Sequence, residues 1–329
     1  MKRHTLLSQL MEKKLKKIKE LFEKSQKILI LMHQFPDGDT IASSLALSTY
    51  LKRQGKDVDL AVKGEIPKVF GFLTAEVQIK HDFLLGDYDI IVAVDCGDAL
   101  RTGFPSRLAE FSKTKPLINI DHHFGNNLSK ITTVNLVDEN AAAAAEVVWR
   151  LLKFLDAEVD SKIATYILAG IYYDTGGFQH SNVTIVTLEI ASECLRRGGR
   201  IGLISSNVIN SKSLSGLKLW GIALERMEIR NGMVVSFLTR KDLQMCGAES
   251  EDASGIVNLI NCLPESKIAI LFLEMSDGTI KASLRTEKDK IDVSRLARLF
   301  GGGGHKKAAG FSIKGRLEKD SKGWKIENI

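Results

Sequence analysis

The sequence predicts an α/β fold of two domains, in which helices cover the parallel sheet of the first domain and a smaller α+β domain follows. Three observations predict it. In the first half of the chain, short apolar runs alternate with helical patterns, as they do in a parallel sheet with crossover helices. In the second half, Asn231-Gly232 and Asp277-Gly278 each lie between two strand-like segments and predict hairpins. The length of 329 residues suffices for two domains with separate cores.

Residues 1–26 predict an amphipathic helix, because apolar side chains recur at helical spacing between lysines. The basic start is not followed by an unbroken apolar run, which argues against a signal peptide. We expect this helix to dock on its own domain, and binding to a membrane surface is the weaker alternative.

The first domain is predicted over residues 27–199. Its strands are expected at residues 27–32, 57–62, 89–94 and 117–120, and the last two are almost continuously apolar, as in a sheet covered on both faces. Its helices are expected at residues 40–54, 141–155, 162–173 and 184–197. A polar stretch over residues 200–215 is the predicted linker. The second domain then spans residues 216–329, with helices near residues 252–262 and 292–300 beside the two hairpins.

Composition narrows the function classes. The chain has 46 basic and 40 acidic residues and a formal charge of +6, a modest excess that suits a small anionic substrate and does not require a long duplex nucleic acid. Its four cysteines are scattered and form no C-x-x-C pair, which argues against a zinc knuckle or a disulfide framework and favours a reducing, cytoplasmic location. No apolar run has the length of a membrane-spanning helix.

The first polar cluster is the segment HQFPDGD at residues 33–39, directly after the first predicted strand. Its proline and glycine predict a tight turn, which lets the side chains of His33, Asp37 and Asp39 converge on one point. One imidazole and two carboxylates are a ligand set for a divalent ion such as Mn²⁺. The alternative is structural: Asp39 caps the next helix and Asp37 serves the turn.

Three further clusters follow along the chain. Asp95 directly follows the third predicted strand, residues 89–94, and Asp121, His122 and His123 follow the fourth. A lone histidine is usually a core residue, but two beside an aspartate, at the sheet edge where ligands bind, favour a site. Asp174 comes at the end of a predicted helix, before two glycines, where it would also suit a simple turn.

Taken together, the four segments resemble the motifs of a known enzyme superfamily. HQFPDGD, VAVD, DHH and YYDTGGF occur in this order and resemble the four motifs of the DHH phosphoesterase superfamily, which includes RecJ nucleases and type II inorganic pyrophosphatases. In the second half, SLRT at residues 283–286 and GGGGHKKAAGF at residues 301–311 resemble the DHHA1 domain of the NrnA-like branch, the nanoRNases and pAp phosphatases. The resemblance covers nearly all of the chain after residue 26.

The resemblance implies two divalent metal ions, with Mn²⁺ favoured and Mg²⁺ the alternative. The ligands that it implies are His33, Asp37 and Asp95 for one ion, and Asp39, Asp95, His122 and Asp174 for the other. It also makes Asp95 a catalytic residue, gives His123 a contact with the scissile phosphate, and has Asp121 orient a histidine. This chain departs from its relatives at Ala141–Ala145, where they have hydroxyl residues before a helix glutamate, here Glu146.

The second domain is expected to bind the substrate. Glycines without side chains let a phosphate or base approach backbone amides, although a glycine run by itself is more often a flexible loop. The residues expected to form this anion pocket are Ser283, Arg285, Gly302, Gly303, Gly304 and His305.

The predicted function is hydrolysis of very short RNA to nucleoside 5′-monophosphates, with 3′-phosphate removal from pAp as a second activity. A phosphodiesterase of cyclic di-AMP or pApA is the nearest rival, and a non-catalytic nucleotide-binding protein is the alternative from another class. The expected partners are short RNA or small nucleotides, with no long duplex and no membrane; the sequence leaves open whether the chain forms a homodimer.

Overall fold

The computed structural model of this protein describes residues 2–208, 213–321 and 323–327. The chain divides into two compact units, Met1–Ser211 and Lys212–Ile329. The first contains a six-stranded parallel sheet and the second contains a six-stranded mixed sheet, which confirms the predicted α/β class with a smaller second domain.

The sheet of the first unit has the strand order β3-β2-β1-β4-β5-β6 and every pairing in it is parallel. The strands β4 and β5 are buried along their whole length, which explains their almost continuous apolar sequence. Strands β3 and β6 were not expected from the sequence, because each is short. The strands are β1 (Lys27–Leu31), β2 (Asp57–Ala61), β3 (Ile79–Lys80), β4 (Ile90–Val94), β5 (Leu117–Asp121) and β6 (Val134–Val137).

Helices cover both faces of this sheet, so that two apolar cores form, one on each side. The larger core includes residues of α1, α2, α5, α6 and α7, and the smaller one includes Leu108 and Phe111 of α4. The helices are α1 (Lys2–Lys24), α2 (Gly38–Arg53), α3 (Gly71–Thr74), α4 (Pro105–Phe111), α5 (Ala144–Phe154), α6 (Ser161–Asp174), α7 (Ile185–Arg196) and α8 (Ile201–Val208).

Helix α1 packs on the unit to which it belongs. Ile18 is fully buried, and Leu15 and Phe22 are at least nine-tenths buried in the larger core. The apolar stripe between the lysines is therefore covered by protein, as expected from the helical spacing. No helix in the described part of the chain is both long and apolar enough to cross a bilayer.

The stretch over residues 200–215, expected as a linker, is helical at α8, and a further helix begins at Leu214. Its residues 209–212 lie outside the described part of the chain. Half of the residues of α8 are aliphatic, and this helix buries Ile204 in the core of the first unit.

The second unit is a mixed sheet with strand order β11-β12-β10-β9-β8-β7, beside a two-stranded sheet of β13 and β14. Asn231-Gly232 and Asp277-Gly278 form the two expected hairpin turns, both with positive φ at the glycine. The expected helix at 252–262 is shorter, because Gly255 with φ 91° separates a 3-10 turn from it. The elements are α9 (Leu214–Glu225), β7 (Glu228–Arg230), β8 (Met233–Leu238), α10 (Arg240–Cys246), α11 (Ile256–Asn261), β9 (Ile268–Glu274), β10 (Thr279–Arg285), α12 (Val293–Leu299), β11 (Gly303–Gly304), β12 (Ala308–Lys314), β13 (Arg316–Asp320) and β14 (Gly323–Glu327).

Candidate metal and catalytic centre

The polar clusters of the first unit lie at the point where the strand order of its sheet reverses. Strand β1 has β2 on one side and β4 on the other, so that successive crossovers leave in opposite directions. Ligands of such sheets bind beyond the carboxyl ends of the strands at this switch point. His33 lies two residues after β1, Asp95 directly follows β4, and Asp121 is the last residue of β5. The topology thus brings segments far apart in sequence to one sheet edge.

Seven side chains from these clusters form three groups whose candidate ligand atoms lie within 4.8 Å of one another. Two of the groups share Asp95, and two share His122. Every residue that the sequence singled out as a metal ligand belongs to a group. The groups are His33, Asp37 and Asp95; Asp39, His122 and Asp174; and Asp95, His122 and His123.

Asp37 and Asp39, at the start of α2, accept hydrogen bonds from the amides of two different helices. Asp37 is the N-cap, because its Oδ1 accepts hydrogen bonds from the backbone N–H groups of Asp39 and Thr40, each at 3.1 Å. Asp39 does not cap α2; its two carboxylate oxygens accept from the amides of Ala144 and Ala145 at the start of α5, at 2.5 and 3.0 Å. Positive ends of helix dipoles therefore stabilise both carboxylates.

Asp95 is held in an unusual backbone conformation. Its φ is 58°, in the left-handed region that costs a non-glycine residue on the order of 1–3 kcal/mol and is concentrated at functional sites. Its Oδ2 accepts a hydrogen bond from the Thr40 hydroxyl at 2.6 Å. Its Oδ1 lies 3.4 Å from Nδ1 of His123 and 3.5 Å from Nε2 of His122. The strained turn after β4 thus aims the carboxylate at both histidines.

The residues present fit divalent cations. Nε2 of His33 and Oδ1 of Asp95 are buried and find no hydrogen-bond partner among the described residues, a costly state for polar atoms that a metal ion would relieve. Burial, and then the charge of Asp174, raises the pKa of Asp39 to about 8. Burial, and then the charge of Asp39, raises the pKa of Asp95 well above its ordinary value. Clustered carboxylates of this kind need positive charge to stay ionised.

The two histidines of the DHH segment present different nitrogens to the centre. Nδ1 of His122 lies 3.3 Å from the carbonyl oxygen of Ala141, and a carbonyl only accepts, so Nδ1 carries the hydrogen. Nε2 then faces the carboxylate of Asp174 at 3.2 Å. Burial alone would lower the pKa of His122, but the contact with Asp174 and the charge of Asp95 raise it well above its ordinary value.

His123 is held between Asp121 and an arginine that the sequence did not single out. Its Nδ1 lies 2.7 Å from Oδ1 of Asp121, and its Nε2 lies 3.1 Å from Nη1 of Arg101. Asp121 is fully buried and also accepts from the amides of Gly97 and His122, at 2.6 and 2.7 Å. Burial would raise its pKa, but these hydrogen bonds, above all that of His123, lower it, so the carboxylate is a fixed negative anchor.

The alanine run that departs from the family pattern still contributes to the centre through its backbone. Ala144 and Ala145 donate their amides to Asp39, which needs no side-chain hydroxyl. Glu146 is fully buried behind them, with Arg150 at 3.5 Å. Missing hydroxyl groups therefore leave the hydrogen bonds to Asp39 intact.

In the second unit, the residues expected to bind substrate lie on β10 and on or next to β11, and β12 lies between these two strands. Ser283 of β10 is opposite Gly310 of β12, which is in turn opposite Gly303 of β11. The Arg285 Nε donates to Asn258 Oδ1 at 2.8 Å. Gly302 cannot carry a side chain, because a Cβ there would lie 2.2 Å from the carbonyl oxygen of Gly310. Half of the expected loop, Gly303–Gly304, is therefore a short strand.

Sequence reasoning missed four side chains or positions that shape the centre. Thr40 and Ser43 donate to Asp95 and Asp39. Gly170 of α6 leaves the space that the Asp39 carboxylate occupies, because a Cβ there would lie 2.6 Å from its Oδ1. The helical spacing of Ser43 from Asp39 was a usable signal. Nothing local signals Gly170 or Arg101, whose partners come from other elements.

Comparison with protein families gives two matches. Residues 27–171 match the DHH family, N-terminal domain, and residues 231–322 match the DHHA1 domain. The first match contains every residue of the three ligand groups except Asp174, which lies three residues beyond its end. The second contains all six residues expected to bind substrate.

Individual relatives extend over most of the chain. The bifunctional oligoribonuclease and PAP phosphatase NrnA of Thermus thermophilus is 32% identical over 290 residues, which are 88% of this chain and 84% of that protein. The protein of the same name in Bacillus subtilis is 25% identical over 87% of this chain and 89% of its own length. The crystal structure of an exopolyphosphatase-related protein from Bacteroides fragilis superimposes with a TM-score of 0.86 at 26% identity, covering 92% of this chain and 91% of that one.

Proposed function

Because this chain belongs to the DHH family, as the Thermus thermophilus relative shows, we propose that it is a two-metal phosphoesterase that hydrolyses short oligoribonucleotides to nucleoside 5′-monophosphates. Removal of the 3′-phosphate of pAp is proposed as its second activity. Relatives that align with 87–88% of this chain carry names for these two activities.

One observation carries the proposal: the three ligand groups, each made of carboxylates and imidazoles, share Asp95 and His122 and lie together at one edge of the sheet. A strained aspartate at the end of β4 is a feature that concentrates at functional sites. A cation site also accounts for the two buried ligand atoms that have no hydrogen-bond partner among the described residues. We therefore favour an enzyme over a non-catalytic binding protein.

In the proposed centre, the ligand residues are divided between two metal ions. His33, Asp37 and Asp95 would hold one ion, and Asp39, Asp95, His122 and Asp174 would hold a second. Bound divalent ions would supply a water of lowered pKa and positive charge to neutralise the phosphoryl oxygens. The donor set of carboxylates and imidazoles suits Mn²⁺, with Mg²⁺ as the alternative.

The remaining residues orient and bind. Asp121 fixes the ring of His123 through the 2.7 Å hydrogen bond, so that His123 is held in place for its proposed contact with the scissile phosphate without donating a hydrogen bond to it. Substrate binding by the second unit is assigned to Ser283, Arg285 and His305, with the glycines at 302–304. We also propose a cytosolic location, because all four cysteines are free thiols, the state that a reducing compartment maintains.

The test is a substrate panel. Purified protein is incubated with a 5′-phosphorylated diribonucleotide, pAp, cyclic di-AMP and pApA, each with Mn²⁺ and with Mg²⁺, and released mononucleotide and phosphate are measured. We expect fast mononucleotide release from the dinucleotide and slower phosphate release from pAp. Preferred hydrolysis of cyclic di-AMP or pApA would replace the substrate assignment, and hydrolysis of none of them would overturn the proposal.

A further inference from the structure

The Arg101 guanidinium is a positive charge at the edge of the centre. Arg101 lies in a short 3-10 turn, Leu100–Thr102, after β4, and it is half-buried. Among the described residues, no carboxylate lies within 4.0 Å of it and its one side-chain hydrogen bond is to Nε2 of His123. Four of its five N–H donors are therefore left for another group.

The contact with His123 does not neutralise this charge. Arginine has no acceptor atom, so Nε2 of His123 must accept the hydrogen bond at 3.1 Å. The ring hydrogen is then on Nδ1, which donates to Asp121 at 2.7 Å. An imidazole ring carries no negative charge in either tautomer, so this hydrogen bond leaves the charge of the guanidinium uncompensated.

The turn is built to hold the guanidinium there. The carbonyl of Arg101 accepts a hydrogen bond from the amide of Gln34 at 2.7 Å, which ties the turn to the segment after β1. The Thr102 hydroxyl closes the turn on the carbonyl of Ala99 at 2.6 Å. Gly97 leaves room for the guanidinium, because a Cβ at this position would lie 2.8 Å from Nη1 of Arg101. The φ of Gly97 is 66°, a backbone conformation that glycine adopts without strain.

We propose that Arg101 binds a phosphoryl oxygen of the substrate at the metal centre and is therefore a further catalytic residue. A planar guanidinium with free N–H groups matches the geometry of a phosphoryl group, and a fixed positive charge stabilises the charge that develops there in the transition state. His123 accepts one N–H and so keeps the guanidinium in position. The inference rests on the proposed function, since it assumes a phosphate ester as substrate.

The test compares full-length Arg101→Gln and Arg101→Lys with the wild type. The control is Arg107→Gln, six positions along the chain, because Arg107 pairs with Asp82 and donates to the carbonyl of Phe83 outside the centre. Three quantities are measured: binding of adenosine 5′-monophosphate by calorimetry with Mg²⁺ present, binding of Mn²⁺ by electron paramagnetic resonance, and kcat and KM on a 5′-phosphorylated diribonucleotide.

We expect Arg101→Gln to weaken nucleotide binding about tenfold or more, the loss of charge-assisted hydrogen bonds, and to lower kcat about 10²- to 10³-fold. Mn²⁺ binding should be unchanged, Arg101→Lys should recover part of the affinity, and Arg107→Gln should match the wild type. A residue that only supported the fold of the turn would not give this combination.

The outcomes separate this inference from the proposed function. If the wild type hydrolyses the dinucleotide and Arg101→Gln binds adenosine 5′-monophosphate and turns over as well as the wild type, the inference is overturned and the proposed function stands. If the wild type releases no mononucleotide but Arg101→Gln loses nucleotide affinity, the proposed function fails and the anion-binding role of Arg101 stands.

Discussion

The hydroxyl group of Thr40 fixes a carboxylate oxygen of Asp95 at 2.6 Å, and it does so from the first turn of α2. The two residues are 55 positions apart. Partners of metal ligands orient them, and losing one typically costs about 10- to 100-fold in metal affinity or activity. Residues that are not themselves expected metal ligands, such as Thr40, therefore also determine the geometry of this centre.

Thr40→Val should lower kcat/KM on the dinucleotide by about 10- to 100-fold, because it removes the hydroxyl and keeps the shape of the side chain. Thr40→Ser is the matched control and should stay close to the wild type. Steady-state kinetics at saturating Mn²⁺ and a Mn²⁺ titration measure the effect. Equal activity of the valine and serine variants would contradict the assigned role.

Asp95 should make the stability of the protein depend on divalent ions. Adding Mn²⁺ to the metal-free wild type should raise its Tm, since a ligand at 100 times its Kd adds about 2.7 kcal/mol to the free energy of unfolding. Asp95→Asn should lose both this rise and turnover. Without metal its stability should be close to that of the wild type, because burial and the charge of Asp39 raise the pKa of Asp95 and an amide then replaces a carboxyl group whose charged form is disfavoured.

Thermal unfolding with chelator and with Mn²⁺ measures this prediction. A Tm of the wild type that is the same in both conditions would argue against a metal centre. A metal-induced rise of equal size in Asp95→Asn would argue against Asp95 as a ligand.

At the scale of elements, the centre depends on how closely α2, α5 and α6 pack. Gly170 lies in the middle of α6, where a Cβ would come within 2.6 Å of Asp39 Oδ1 and 2.7 Å of the Cβ of Ala145. Glycine ordinarily weakens a helix interior, so its presence there is explained by this close approach. Three helices therefore meet at one carboxylate.

Gly170→Ala should lower the free energy of unfolding by about 1–3 kcal/mol, as overpacking does, and should lower activity by displacing Asp39. Gly202→Ala in α8 is the matched control, because a Cβ there meets no atom within 4 Å; it should be neutral or stabilise by up to about 1 kcal/mol. Denaturant unfolding and dinucleotide hydrolysis measure both variants. If Gly170→Ala behaves like Gly202→Ala, the packing account is wrong.

The elements themselves were predicted to different extents. Strongly patterned ones, such as β4 and the two hairpins, were evident because alternation, apolar runs and Asn-Gly or Asp-Gly turns are local signals. Short elements, such as β3 and β6, were not, because two to four residues carry too little pattern. Helix α8 lies within the stretch predicted as linker, residues 200–215, which also contains the boundary between the two units.

For the whole molecule, we predict that the two units can be separated. The second has its own apolar cores, so a fragment of residues 213–329 should unfold cooperatively on heating. A fragment of residues 1–208 should bind Mn²⁺ like the full chain, since all three ligand groups lie within it. Its KM for the dinucleotide should rise at least about tenfold through loss of charge-assisted contacts worth about 1.5–3 kcal/mol each.

Calorimetry of each fragment and kinetics of the first one test this. Arg285→Ala in the full chain is the point-mutant comparison and should raise KM with a smaller change in kcat. A first fragment with the KM of the full chain would show that the second unit does not bind substrate.

The sequence by itself determined the α/β class, the two hairpins and the family, because apolar periodicity, turn residues and ordered motifs are properties of short segments. It also marked the seven polar side chains that the structure gathers into three groups. Only the tertiary structure decided which of these side chains face each other and where Arg101 lies. It also decided which carboxylate oxygens accept the hydrogen bonds of the Thr40 hydroxyl and the Ala144 amide. Those contacts join residues 55, 105 and 22 positions apart, and such distances are closed by helix packing and strand order, which no local pattern encodes.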